Sequence, residues 1–176
     1  MARSGLSRTN SAVVQKAISF LRGAQHSDGS FAGTWGVNTL YGTSNAVVGL
    51  VQAGLPLDDG MVVKALDFVA SRQNPDGGFG ETFRSFAQPE LAGRGESTPT
   101  QTAWALLALL EHRDRFANEI DRAASYLLSQ FERDGQWLDR SVVGVAQPGL
   151  TPERRPAFAQ IFPLEALARY QRQGQE

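Results

Sequence analysis

The chain predicts an all-α fold of about three helical hairpins, on three observations. One block recurs three times without a gap, each copy carries an apolar stripe at helical spacing, and an Asp-Gly pair closes each copy. The copies are KAISFLRGAQHSDGSF from Lys16, KALDFVASRQNPDGGF from Lys64 and RAASYLLSQFERDGQW from Arg122. All three share a basic residue, Ala at the next place, an aromatic at +4 (Phe20, Phe68, Tyr126), an aliphatic at +5 (Leu21, Val69, Leu127), Asp-Gly, and an aromatic at +15 (Phe31, Phe79, Trp137). Gln stands at +9 in the first two copies (Gln25, Gln73). The third has Phe131 there, with Gln130 one place early, so it is a degenerate repeat.

Within a copy, positions +1, +4 and +5 fall on one face of a helix, so each block opens with a half-buried helix. Asp28-Gly29, Asp76-Gly77-Gly78 and Asp134-Gly135 then break it, because Gly accepts positive φ and Asp bonds the local backbone. A second helix follows each turn: Thr43 to Gln52, Thr100 to Leu110, and Phe158 to Tyr170 with a perturbation at Pro163. The middle one, QTAWALLALL, is apolar almost all round and is expected to be buried on every side. Pro99 fits its first turn, with Ser97 or Thr98 as cap. Asp58-Asp59 precedes a helix near Met61 and is a capping pair rather than a catalytic one. Hairpins of this kind bury their faces by stacking on neighbours, so three of them make an arc with edges to be covered.

Composition narrows the chemistry. The 176 residues carry 17 Lys+Arg against 18 Asp+Glu, a formal charge of −1, which gives no global field for nucleic acid. With 41% hydrophobic and 20% charged residues the chain fits one folded domain. No cysteine is present, which excludes disulfides and thiolate chemistry and agrees with the cytoplasm. No apolar run reaches the roughly 18 residues of a membrane span, and the first ten residues lack the hydrophobic core of a signal peptide. Residues 1–10 are expected to be a flexible N-terminal segment and 11–176 the folded domain. His26 and His112, the only histidines, lack partners at ligand spacing, so no metal is expected. Gly77-Gly78-Phe79-Gly80 lacks the strand before it and the Lys after it that a phosphate cradle needs.

The repeat, basic-Ala-x-x-aromatic-aliphatic-x-x-x-Gln with a trailing Asp-Gly-x-Trp/Phe, resembles the QW repeat of squalene-hopene and oxidosqualene cyclases, the class II triterpene cyclases. Four further strings carry the resemblance: DGSFAGTWGVNTLYGTSNAV from Asp28, QNPDGGFGE from Gln73, GRGESTPTQTAWALLAL from Gly93 and IFPLEALARY from Ile161. The resemblance implies an α/α toroid, a partial α/α barrel, corresponding to the C-terminal portion of such a cyclase. Those enzymes start the reaction with an Asp-x-Asp-Asp acid upstream of the matched region, and this chain holds no such motif. The resemblance therefore implies no catalytic residue here, no cofactor and no metal.

What the resemblance does supply is cavity wall. Trp35 matches a cavity tryptophan of the family and Tyr41 the tyrosine near its acid, so both are expected to bind substrate. Aromatic faces suit a polyene that cyclises through carbocations, because they stabilise positive charge without a lone pair that would quench it. The last segment departs from the family: Gln147 and Thr151 replace phenylalanines and Arg155 a cavity tyrosine, while Phe158 keeps its ring. Glu153, Arg154 and Arg155 are then expected on a solvated loop. Should the chain initiate chemistry after all, Glu81 and Glu96 are the first acids to test. The implied partners are a polyprenyl hydrocarbon, a cyclase half carrying the acid or a second copy, and a membrane surface touched peripherally. Protein prenyltransferase β subunits share the toroid, but their zinc-binding cysteine is missing. The rival expectation is a non-catalytic toroid fragment that binds an isoprenoid or a protein.

Overall fold

A computed structural model describes residues 5–175. The expected flexible segment 1–10 therefore lies partly outside the described residues. From Ser7 the chain forms a turn whose Arg8 donates through its backbone N–H to Ala53 O and through Nε to Gly54 O. Six helices follow: α1 (Ala12–Ala24), α2 (Thr39–Gln52), α3 (Gly60–Ala70), α4 (Pro99–Leu109), α5 (Ala117–Asp134) and α6 (Phe158–Gln173). In chain order they alternate as the first and second helices of the three predicted units. The second helices α2, α4 and α6 lie side by side, with α3 and α5 packed across them. Helix α4 touches α2, α3, α5 and α6 and is buried along its length apart from half-buried Leu107, as the apolar run from Ala103 to Leu109 requires.

One part of the all-α expectation is corrected. Strands β1 (Gly144–Gln147) and β2 (Thr151–Glu153) form an antiparallel hairpin, pairing Gly144 with Glu153 and Gln147 with Thr151. Three β-branched residues, Val142, Val143 and Val145, favour extended backbone, and Pro148-Gly149 makes the reversing turn, closed by Leu150 N–H to Gln147 O at 3.0 Å. The other edge of β1 holds the loop before α2, through Val37 N–H to Val143 O and Val145 N–H to Trp35 O.

The repeat has a physical meaning that two successive interfaces show. Gln25 donates through Nε2 to Gly29 O in its own turn and to Met61 O in the next hairpin; Gln73 donates to Gly77 O and to Glu119 O. Met61 and Glu119 occupy the same place, three residues before the basic residue that opens the next block. Each glycine of the turn lies against the carbonyl of that basic residue: a Cβ on Gly29 would strike Lys64 O, and one on Gly77 would come within 2.7 Å of Arg122 O. Phe31 and Phe79 then donate their N–H to Thr43 and Thr102 hydroxyls, both at 2.9 Å. Each turn thus clasps its own second helix and the following hairpin.

In the third copy the clasp is missing. Phe131 replaces Gln and packs on Trp137 at 4.8 Å between centroids, and a Cβ on Gly135 would meet nothing within 4 Å. The first copy lacks cover on its other side: Phe68 and Tyr126 are buried at +4, whereas Phe20 is 74% exposed and α1 buries no residue fully. The turns also sit differently from expectation. In copies one and two the helix ends at Ala24 and Ala70, well before the Asp-Gly pair, because Gln at +9 takes up the turn; only α5 runs through to Asp134 and stops at Gly135, with φ of 68°.

Among the described residues no helix is long and apolar enough to cross a membrane.

Candidate functional site

Four aromatic rings meet where α2, α4 and α6 adjoin. Tyr41 packs edge-on to Trp104 at 4.9 Å, Trp104 packs edge-on to Phe162 at 5.6 Å and Phe158 at 6.2 Å, and Phe158 meets Phe162 at 5.2 Å. Phe158 and Phe162 are four residues apart, on one face of α6. Trp104 is buried, and its indole N–H has no acceptor among the described residues. Tyr41, Phe158 and Phe162 are half-buried, so the cluster keeps accessible ring surface beside a buried indole.

The loop before α2 closes over these rings because Gly36 permits it: a Cβ there would lie 2.5 Å from Tyr41 Cγ and 2.8 Å from Trp104 Cη2. Trp35, one residue earlier, is 58% exposed, held through its backbone to β1 rather than by packing of its ring. Of the two residues the sequence pointed to, the fold brings Tyr41 into the ring cluster and leaves Trp35 presented at the surface. Tyr41 lies in the first turn of α2, which starts four residues before the expected Thr43.

That early start has a distant cause. Asn38, at the N-cap, makes no side-chain capping bond. Buried Glu81 caps α2 in its place, accepting from Asn38 N–H at 3.1 Å and Leu40 N–H at 2.7 Å on Oε2, and from the Thr39 hydroxyl at 2.9 Å on Oε1. Both carboxyl oxygens are thus taken up by donors at a helix N-terminus, which is a structural use of the group first in line as an acid. Glu96 is exposed. Asp139 does the equivalent for α4, accepting from Thr100 N–H at 3.1 Å and the Thr100 hydroxyl at 2.5 Å. Burial pushes the Asp139 carboxyl above its ordinary value, against the opposing pull of the Thr100 bonds.

The departing segment forms the β-hairpin. Gln147 and Thr151 are exposed in its strands; of the three residues expected on a solvated loop, Arg154 is exposed, whereas Glu153, in β2, and Arg155 are half-buried. The Arg155 guanidinium pairs with Glu153 at 2.5 Å and lies 5.6 Å from the Phe158 ring centre, so a compensated positive charge borders the aromatic cluster. Among the described residues no three His, Cys, Asp or Glu side chains are grouped to hold a metal ion. His26 Nδ1 lies 2.9 Å from Ser30 Oγ, and His112 stacks edge-on against Phe116.

Trp104 and Phe162 were not legible as site residues. Trp104 is one large residue in a helix that is apolar all round, so periodicity sets it apart only as core. The available signal was the i, i+4 aromatic pair of α6, which needs a ring opposite it.

The chain is similar in sequence to known proteins. The family model of the squalene-hopene cyclase C-terminal domain matches residues 1–172. Over 171 residues the chain is 36% identical to squalene-hopene cyclase of Bradyrhizobium diazoefficiens, covering 97% of this chain and 26% of that protein. It is 41% identical over 175 residues to squalene-tetrahymanol cyclase of Tetrahymena thermophila, covering 96% and 27%. It is 34% identical over 160 residues to lanosterol synthase of Saccharomyces cerevisiae, covering 90% and 22%. The chain thus spans about a quarter of the length of these relatives.

Proposed function

This chain belongs to the squalene-hopene cyclase C-terminal domain family, and on that premise we propose that it forms an arc of an α/α toroid and lines part of a pocket for a polyprenyl hydrocarbon. The observation that carries the reading is the cluster of Tyr41, Trp104, Phe158 and Phe162, four rings from three hairpins meeting edge to face. Such rings offer an isoprenoid chain apolar contact and a developing carbocation a π face. Trp35 and Tyr41 bind the hydrocarbon, Trp35 from the loop that Gly36 lays over the cluster.

The initiating proton comes from residues outside this chain. Glu81 and Asp139 are committed to helix N-termini, and Glu96 faces solvent. Alkene protonation needs a carboxylic acid kept neutral and aimed into the pocket. The covering hairpins dock by the same clasp that joins the hairpins seen here: the face of α1 with exposed Val13 and Phe20 is the counterpart of the covered faces of α3 and α5. The polypeptide that supplies the acid, or a membrane surface, covers that edge.

A second reading, a toroid fragment that binds an isoprenoid or a protein without catalysis, draws support from Arg155. A guanidinium beside Phe158 disfavours a late cation there.

Photocrosslinking with a diazirine-bearing squalene tests the hydrocarbon reading. Saturable adducts on peptides containing Tyr41, Trp104 and Phe158, lost in Trp104→Ala, are expected. Adducts confined to α1, or labelling that squalene does not compete away, would overturn it.

A further inference from the structure

A cleft of about 630 Å³ beside Glu81 concentrates positive charge that the chain as a whole does not have. Arg84, Arg94, Arg140 and Arg154 line it, together with apolar Phe83, Leu91 and Val142. Among the described residues, most arginines outside the cleft are engaged, Arg172 being an exception. Arg22, Arg115, Arg133, Arg155 and Arg169 pair with carboxylates at 2.9 Å or less, and Arg72 and Arg113 stack on rings. Arg84, Arg94 and Arg154 have no ion pair, side-chain hydrogen bond or ring contact among the described residues, and Arg140 approaches only Asp134, at 3.8 Å.

The acidic residues of the cleft do not balance these charges. Glu81 is spent on the N-terminus of α2, which leaves Glu96 as the one free carboxylate lining the cleft. Four guanidiniums gathered on a concave, partly apolar surface make a strong local field, and guanidinium forks bind phosphate oxygens in bidentate fashion, several of them around one multiply charged group. A like charge nearby sharpens this: Arg72, lowered first by its own burial, is lowered further by Arg94.

We propose that this cleft binds a phosphate or diphosphate group carried on a hydrocarbon chain, the arginines taking the head and Phe83, Leu91 and Val142 the first carbons of the tail. The cleft is distinct from the aromatic cluster, so this site stands or falls independently of the polyene reading.

Isothermal titration of the full chain with farnesyl diphosphate, inorganic pyrophosphate and farnesol tests it. Farnesyl diphosphate should bind more tightly than either of the others, and more weakly as salt rises. The double substitution Arg84→Gln/Arg94→Gln, at two exposed positions, should weaken it about tenfold or more. Arg172→Gln, a free arginine away from the cleft, should leave it unchanged, and Glu96→Gln should tighten it. Flotation with phosphatidylcholine vesicles, with and without phosphatidic acid, identifies the source. Binding only to acidic vesicles, lost in the double variant, assigns the head group to a membrane lipid; binding to soluble farnesyl diphosphate assigns a free phosphorylated isoprenoid. Equal affinity for farnesol, an unaffected double variant, or no binding in either format would overturn the proposal.

Discussion

Substituting alanine at the same repeat position in three turns separates backbone strain from hairpin docking. Gly29, Gly77 and Gly135 have φ of 91°, 86° and 68°, so alanine costs about 1–2 kcal/mol of left-handed strain at each. At Gly135 nothing else is lost, because no atom lies within 4 Å of the new Cβ. At Gly77 the methyl comes within 2.7 Å of Arg122 O, and at Gly29 it strikes Lys64 O; both are backbone atoms of the next hairpin and cannot rotate away. Overpacking of this kind adds about 1–3 kcal/mol, for a total of roughly 2–5 kcal/mol. For a chain of this size that is a fall in Tm of roughly 4–20 °C, against roughly 2–8 °C for Gly135→Ala. Thermal unfolding followed by circular dichroism should order the variants Gly29→Ala and Gly77→Ala well below Gly135→Ala. Equal losses at all three positions would refute the view that the Asp-Gly turns seat hairpin upon hairpin.

Other perturbations follow from the same contacts. Gln73→Ala removes bonds to Gly77 O and Glu119 O and the one Gln73 accepts from Arg122; it should cost about 1–3 kcal/mol in urea unfolding, more than Gln25→Ala, which loses two. Tyr126 donates to Ser97 O, and burial, with the charges of Asp76 and Asp139, pushes its hydroxyl up to about 12. An unfolded tyrosine releases its proton near 10, so stability should hold below about pH 10 and fall as pH rises from there to about 12. That alkaline slope should be shallower in Tyr126→Phe, and an unchanged slope would contradict the assignment. Trp35→Ala should leave Tm nearly unchanged while reducing squalene crosslinking, whereas Phe31→Leu should cost about 1–3 kcal/mol and leave crosslinking intact. Equal destabilisation by both, with crosslinking unaffected, would make Trp35 an ordinary packing residue.

Where a structural cause is local, it was legible in the residues. Asp59 accepts from Met61 N–H and starts α3; Thr98 accepts from Gln101 N–H with Pro99 in the first turn and starts α4. The start of α2 was not, because its cap is Glu81, forty-odd residues away in sequence. The β-hairpin was hidden by the helical repeat on either side of it, although Val142 to Val145 and the Pro148-Gly149 turn carried its chemistry. For the site, Tyr41 was found through the family likeness. Trp104 and Phe162 become site residues only when α4 and α6 are laid side by side, which no single-helix pattern reveals. The clasp was half legible: the recurrence of Gln and Asp-Gly was plain, but the acceptors Met61 O and Glu119 O are backbone atoms that no motif names.

The central claim is that this chain supplies aromatic wall and no acid. Squalene incubated with the purified chain and extracted for gas chromatography with mass detection tests it directly. The account predicts unchanged squalene and no polycyclic product. Hopene or hopanol formed by the chain alone, and abolished by Glu81→Gln, Glu96→Gln or Asp139→Asn, would contradict it and identify the acid.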